Sequence, residues 1–451
     1  MKILCFIILI FVSISGFGNG QNKSESENDK KPNIVILFVD DLGYYDVGFR
    51  NPKFYTPNID QLATESLTFS EAYVPSPTCS PSRAGLYTGK HPASIEFYRH
   101  CASSDKEYHM WDGDVAQLPS RNWLPLEHIT YAEALKVVGY KTFFCGKWHL
   151  GAEEYGPQKQ GFDCVYTNAH AGHPKSYYPP YYHDGKFSDE VDKDKYLTDF
   201  FTDKAVDFIQ SYSEDKPFLL QFSYQNVHAP NVGKKEFLQL YQERGFEGVY
   251  VQYGAQVSAV DQSVGRIMKA INDAGIEDNT IVLFLSDQGY LYPNTPLRGT
   301  KHQGTALYEG AAKIPFLFKW PGVTKAGTTN EMHIQTTDVF PTLIQIGGDD
   351  PSIYKGLEGM SLYSILSDNH VIKREALYFY RSYDGQYASV LREDKWKLIA
   401  YRDGHYELFK VDTDISEEHD LSEEKPKIVK ELSVLLQEWE MKNGILQENN
   451  Q

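Results

Sequence analysis

Positive charge is in short supply in this chain. Lysine and arginine number 44 against 61 aspartates and glutamates, a formal net charge of −17. So acidic a protein lacks the electrostatic footprint that nucleic acid or an anionic membrane requires. An anionic substrate stays compatible only if a local basic pocket overrides the global field. Cysteine is scarce as well, with five residues in 451. One, Cys5, lies in an N-terminal apolar run; Cys79, Cys101, Cys145 and Cys164 remain, and their pairing in an exported chain is not readable from spacing. Internal repeats are absent. Hydrophobic residues at 41% and charged residues at 23% are ordinary for a folded globular protein, and the length suits one large domain with a smaller companion.

Long apolar runs are missing too. The N-terminal stretch Ile3 to Val12 is too short to span a membrane convincingly. Lys2 precedes it and the small residues Gly18 and Gly20 follow, which is the three-part grammar of a secretory signal peptide; an uncleaved anchor is the alternative. Cys5 lacks the small-residue context of a lipidation site. We therefore expect a signal peptide over 1–20 and export without a membrane anchor, to a periplasm or the medium, or to a lumen or the exterior of a eukaryotic cell. The polar leader "QNKSESENDKK", 21–31, is expected to be disordered, and its Asn22-Lys23-Ser24 sequon carries little weight there.

From residue 32 the chain alternates short apolar runs with amphipathic helices. Ile34 to Val39, Tyr140 to Cys145, Phe218 to Phe222 and Ile281 to Leu285 read as buried strands. Thr56-Pro57 predicts a helix start, and Thr130 with Glu133 a capping box. Val260, Val264, Ile267, Met268 and Ile271 recur at helical spacing. The expected fold class is α/β, a large mostly parallel sheet flanked by helices, over residues 32–345. After "IGGDDPS" the pattern changes to short strands with turns at Asp384-Gly385 and Asp403-Gly404, then an amphipathic helix from about Pro426 to Asn443. Residues 346–451 thus predict a smaller antiparallel sheet with one packed helix.

Ligands of such sheets bind beyond the carboxyl ends of the strands. Asp40 and Asp41 follow the first strand, and Lys147 and His149 the second. His228 follows the third, and Asp287 and Gln288 the fourth. Any one of these is an ordinary turn or cap. Four strands delivering such groups to one edge are hard to attribute to turn chemistry.

The stretch "TCSPSRAGLYTGKHP", 78–92, places Cys79 and Arg83 before a short apolar run. A C-x5-R phosphatase loop needs arginine at 85, which is Gly85, and a papain-type signature is absent. Half of a disulfide stays open on spacing alone. Cys79-Ser80-Pro81-Ser82-Arg83, continued by Leu86, Thr88, Gly89 and Lys90, resembles the signature of the type I sulfatases. So do "NIVILFVDDLGYYDVG", "GYKTFFCGKWHLG", "VHAP", "IVLFLSDQGY", "LRGTKHQGTALYEGAAKIP" and the C-terminal "KWKLIAYRDGHYELFKVDTDISEEHDL".

The resemblance implies an alkaline-phosphatase-like fold and hydrolysis of a sulfate ester. It also implies that a separate formylglycine-generating enzyme oxidises Cys79 to formylglycine (3-oxoalanine). One hydroxyl of the hydrated aldehyde would attack sulfur to give a covalent sulfated intermediate, and the other would expel sulfate. Asp40, Asp41, Asp287, Gln288 and the modified Cys79 are implied metal ligands. An all-oxygen set suits Ca2+, with Mg2+ also compatible. Asparagine or histidine is commoner in the family where Gln288 stands, and a second glycine is frequent near Glu309-Gly310-Ala311. Arg83 is implied to pair with the hydrate and the carboxylates, and Lys147 and Lys301 to bind sulfate oxygens. His149 would serve as base, and His228, with Lys301, would protonate the leaving alcohol. Pro81 suits the first turn of a helix running toward Tyr87, and Ser82 a cap.

The tyrosine-rich segment 168–186, "NAHAGHPKSYYPPYYHDGK", is a candidate substrate wall through His170, His173, Tyr177 and Tyr178, or an aromatic-packed loop. His91 and Arg99 are further pocket candidates, with His100. A sulfated carbohydrate is the expected substrate. The competing readings are a phosphatase or phosphodiesterase on the same scaffold, which would carry serine or threonine as nucleophile and two zinc ions, and a non-catalytic protein that kept the fold.

Overall fold

The computed structural model describes residues 30–102, 106–110, 118–169, 171–301, 304–368, 370, 372–382 and 385–446. The expected signal peptide and nearly all of the leader lie outside these residues, as do His170 and Asp384. From Lys31 onward the chain forms one compact unit.

Eight strands make the main sheet: β1 (Asn33–Val39), β2 (Leu67–Phe69), β3 (Lys141–Gly146), β4 (Cys164–Tyr166), β5 (Phe218–Ser223), β6 (Thr280–Ser286), β7 (Phe316–Lys319) and β8 (Thr328–Asn330). Their order is β8-β2-β7-β6-β1-β5-β3-β4. Neighbours from β6 to β4 pair parallel, while β7 runs antiparallel to both β6 and β2. The sheet is therefore mixed but mostly parallel, as the alternating pattern predicts.

Strand β1 shows why the sheet needs two covers. All seven of its residues are buried, and side chains alternate between faces. Ile34, Ile36 and Phe38 enter one core with Leu86, Tyr131 and Leu343. Val35, Leu37 and Val39 enter another with Phe200, Val257 and Val264. Each such apolar side chain contributes about 1.5–3 kcal/mol by leaving water.

Helix α1 (Cys79–Thr88) covers the first face, and all ten of its residues are buried. Pro81 falls in its first turn, where no intrahelical N–H is needed. Ser82 does not cap it: its hydroxyl is buried without a hydrogen-bond partner. Helix α2 (Tyr131–Val137) opens on the expected capping box, Glu133 N donating to Thr130 Oγ1 at 3.2 Å and Thr130 N to Glu133 Oε2 at 2.8 Å. Helix α3 (Val249–Asp273) covers the second face.

Strands β9 (Ala376–Tyr380), β10 (Gln386–Arg392), β11 (Trp396–Tyr401) and β12 (Tyr406–Lys410) form a separate antiparallel sheet in sequence order. Helix α4 (Pro426–Lys442) packs Leu432, Leu436 and Trp439 on one face of it. The other face, with Phe379, Ile399 and Phe409, packs against Tyr73, Leu307 and Ala312.

Candidate active site

The carboxyl ends of β1, β3, β5 and β6 supply the groups that their sequences promised. Asp40 and Asp41 leave β1, and Asp41 takes a left-handed conformation at φ 64°, which a short polar side chain tolerates. Its backbone N–H donates to Asp287 Oδ1 at 2.9 Å, tying the ends of β1 and β6 together. Asp40, Asp41, Asp287 and Gln288 are all essentially buried.

Helix α1 aims its first residue at them. Cys79 Sγ accepts from Gln288 Nε2 at 3.0 Å, and the same amide nitrogen donates to Asp41 Oδ1 at 2.7 Å. Ligand atoms of Asp40, Asp41 and Cys79 lie within 4.8 Å of one another. Arg83, one turn along, is wholly buried and donates to Asp40 Oδ1 at 3.2 Å, to Asp287 Oδ2 at 2.9 Å and to the Lys147 carbonyl at 3.0 Å. Lys147 Nζ meets Asp40 Oδ2 at 2.6 Å, and Lys301 pairs with Asp41.

Burial sets the protonation of this cluster. It would raise Asp40, but the Lys147 ammonium and the Arg83 guanidinium overcome it and hold Asp40 far below the usual carboxylate range. Burial, with Asp40 beside it, pushes Asp287 well up, and burial raises Asp41 despite Lys301. Burial likewise pushes the Cys79 thiol up to about 12. A thiolate is the nucleophilic form of cysteine, so Cys79 as encoded is protonated at neutral pH.

Both histidines are present. His149 follows Trp148 with φ 56°, and its Nδ1 is buried without a partner. Its carbonyl accepts from Ser80 Oγ at 2.7 Å. His228 Nε2 lies 3.7 Å from Asp41 Oδ2, and its Nδ1 faces the Ala229 carbonyl at 2.8 Å. Burial, reinforced by nearby cations, depresses both imidazoles well below their ordinary range, so each is neutral.

The substrate-wall candidates divide. His173 stacks on His228 with ring centroids 5.5 Å apart. Tyr177 is wholly buried and donates to the Gln225 and His228 carbonyls at 2.5 and 2.8 Å, so it braces the His228 loop from within. Tyr178 is half-buried against Tyr196 and accepts from Lys235 N at 3.1 Å. His91 is not brought to the site. Its Nδ1 accepts from Ala93 N at 3.1 Å, its Nε2 meets the Tyr378 carbonyl at 3.2 Å, and its ring lies against Trp439. Arg99 is buried, and its neighbour His100 has its ring 6.4 Å from that of His149. Cys79, Cys101, Cys145 and Cys164 carry free thiols.

Two positions escape motif reasoning. Gly172 approaches the His149 ring so closely that a Cβ there would fall 2.6 Å from Nε2. Arg381, at the end of β9, is buried and donates to the Lys301 carbonyl at 2.6 Å, linking the smaller sheet to the site. Neither lies in a recognisable local pattern.

Carboxylates, a carboxamide and a thiol, faced by arginine, lysines and neutral histidines on the carboxyl edge of the sheet, are a set of groups suited to hydrolysing an anionic ester. The comparisons with known proteins agree. Residues 32–348 match the family model described as Sulfatase, and 302–442 that described as N-sulphoglucosamine sulphohydrolase, C-terminal. Human N-acetylgalactosamine-6-sulfatase is 32% identical over 376 residues, 77% of this chain and 68% of that protein. Human arylsulfatase A is 31% identical over 416 residues, 83% of this chain and 76% of that protein. The crystal structure of Ps i-CgsB in complex with k-i-k-neocarrahexaose superposes with a TM-score of 0.78 at 28% identity, covering 93% of this chain and 94% of that one. The chain belongs to the sulfatase family, and it is a sulfuric ester hydrolase.

Proposed function

We propose that this protein removes sulfate from a sulfated carbohydrate, with Cys79 oxidised to formylglycine by a separate enzyme as the group that attacks sulfur. The observation that carries the reading is the place of Cys79: a protonated, buried thiol at the start of α1, among carboxylates and cations from three other strands. A thiol nucleophile would need a depressed pKa, and the reverse holds here. Once formed and hydrated, the aldehyde supplies two hydroxyls on one carbon, one to attack sulfur and one whose deprotonation expels sulfate.

The remaining roles follow from position. Lys147 and Lys301 reach the cluster through Asp40 and Asp41, so their ammonium groups are available to sulfate oxygens and to the charge that grows as the ester bond breaks. Neutral His149 accepts the proton of the hydrate. His228 is neutral, with Nδ1 turned to the Ala229 carbonyl, so the Lys301 ammonium is the proton source for the leaving alcohol, and His228 relays that proton through Nε2. Arg83 fixes Asp40 and Asp287 and so sets the carboxylate geometry.

The donor set fits a hard divalent cation. Gln288 Oε1 is buried and has no hydrogen-bond partner, an acceptor turned loose beside three carboxylates. Asp40, Asp41, Asp287, Gln288 and the modified Cys79 would hold Ca2+ or Mg2+, and an all-oxygen set disfavours zinc. The ion would supply Lewis acidity at the sulfate oxygens. The carbohydrate assignment is supported by a relative named N-acetylgalactosamine-6-sulfatase and by a similar structure in complex with k-i-k-neocarrahexaose. Export rests on the N-terminal sequence; among the described residues no helix is long and apolar enough to cross a membrane.

The test is sulfate release from a panel of sulfated oligosaccharides and an aryl sulfate by protein purified from its native host. Turnover of at least one, lost on Cys79→Ala and on chelation by EDTA, is the expected result. Activity that survives Cys79→Ala would place the nucleophile elsewhere.

A further inference from the structure

Beside the sulfate chemistry, the loop after β6 and the start of α3 carry a chain of aromatic rings that the reaction leaves unused. Tyr290 is buried, with its ring 5.6 Å from Lys301 Nζ. From Tyr290 the rings step outward, to Tyr292 at 4.9 Å and on to Tyr250 at 4.7 Å. Tyr250 stands on the first turn of α3 and is 42% exposed.

The row is held rigidly. Tyr290 and Tyr292 both donate to Asn231 Oδ1, at 3.2 and 2.9 Å. Tyr253, stacked on Tyr290 at 4.8 Å, donates to Asp46 Oδ2 at 2.5 Å. Asn294 donates to Asp46 Oδ1 and accepts from Tyr45 N, both at 2.8 Å. Outward of this scaffold lies a cavity of about 200 Å³ lined by Tyr45, Asn51, Phe54, Tyr250 and Tyr292. It runs, through Lys53, Phe246 and Tyr250, into a shallower groove of about 600 Å³ that Arg244 and Glu247 also line. Arg244 donates to the Pro52 carbonyl at 2.8 Å and lies 5.2 Å from the centre of the Tyr55 ring.

We infer that this groove binds the sugar units flanking the one that loses its sulfate, so that the substrate is a sulfated oligosaccharide or polysaccharide rather than a monosaccharide. The inference rests on the sulfatase reading and extends it to chain length. Three observations point to this occupant. The groove starts close to the site, beyond two ring-to-ring steps of 4.9 and 4.7 Å from Tyr290, whose ring lies 5.6 Å from Lys301 Nζ. Its tyrosines offer flat apolar faces with a hydroxyl at the edge, which suits the apolar face and hydroxyl rim of a pyranose. Its two cations, in a chain of net charge −17, complement sulfates on neighbouring units.

The test is calorimetric binding by the full chain carrying Cys79→Ala, which cannot turn ligand over. The probes are a disaccharide and a hexasaccharide from each of carrageenan and chondroitin sulfate. For at least one series the hexasaccharide should bind about tenfold tighter than the disaccharide. Adding Tyr250→Ala or Lys53→Ala, both exposed positions, should cut hexasaccharide affinity about fivefold and leave disaccharide affinity within about twofold. Equal affinity for the two lengths, an unaffected Tyr250→Ala protein, or no binding by any probe overturns the groove. Sulfate release by the parent protein from the panel of sulfated oligosaccharides and an aryl sulfate, measured separately, decides the sulfatase reading, so the two failures are told apart.

Discussion

At the residue scale, the site works by crowding charges that would be unstable alone. Asp40, Asp41 and Asp287 are fully buried together, and Arg83, Lys147 and Lys301 offset their charge. Such a cluster depends on groups that hold its members in place. Gly172 is one of them, because any side chain there meets the His149 ring at 2.6 Å. Gly172→Ala should therefore displace His149, the proposed base, and lower kcat by about 10- to 100-fold. Its thermal midpoint should stay within about 2 °C of the parent protein, because the loop lies outside both sheets. A matched loss of folding and activity would mean that Gly172 serves the loop and not the histidine. Asp40, Asp41, Lys147, His149, Asp287 and Gln288 were legible in sequence because each is polar and sits just past an apolar strand. Gly172 was not, since its close contact comes from a loop folding back across the site.

At the scale of elements, the strand ends decide which groups meet. Gly146 is the last residue of β3, at φ 102°, and a Cβ there would fall 1.8 Å from the Ser223 carbonyl of β5. Only glycine fits both the backbone angle and the gap. Gly146→Ala should force β3 and β5 apart just where Lys147 departs, costing several kcal/mol and yielding little folded protein. Folded, active Gly146→Ala protein would show that the strand end relaxes freely. The elements themselves were readable: β1 as a continuous apolar run, α2 from its capping box, and α3 from its spacing. The tyrosine-rich loop was less so. Tyr177, Tyr181 and Tyr182 turn inward to the core beside α3, because tertiary packing and not local pattern decides which rings of a dense aromatic run face water. Tyr290 and Tyr292 pass unremarked in sequence for the same reason.

At the scale of the whole molecule, the smaller sheet is tied to the larger by buried charge. Lys397 of β11 is wholly buried between Glu309 Oε1 at 2.8 Å and Glu417 Oε1 at 2.9 Å, and Arg381 reaches the Lys301 carbonyl. Glu309 follows a lysine motif of the main domain, yet nothing in its sequence surroundings announces partners about a hundred residues away. Glu440, on α4, is buried too, and burial outweighs the Tyr387 hydroxyl and the Arg402 guanidinium to push its carboxyl up to about 7 from 4.5. A raised folded-state pKa gives stability that is complete below about 4.5 and lost as pH climbs through 7. Glu440→Gln should therefore match the parent protein at pH 5 and unfold at a higher temperature than the parent at pH 8. Equal midpoints at both values would show that the carboxyl is solvated.

The central claim is that Cys79 is the precursor of the nucleophile. Its most direct test is mass spectrometry of the peptide that spans Thr78 to Arg83, from protein made in its native host, alongside the rate of sulfate release by the same preparations. The account predicts an aldehyde in place of the Cys79 thiol, and a rate that rises in proportion to the aldehyde fraction. Unmodified cysteine throughout a preparation that still releases sulfate would contradict it.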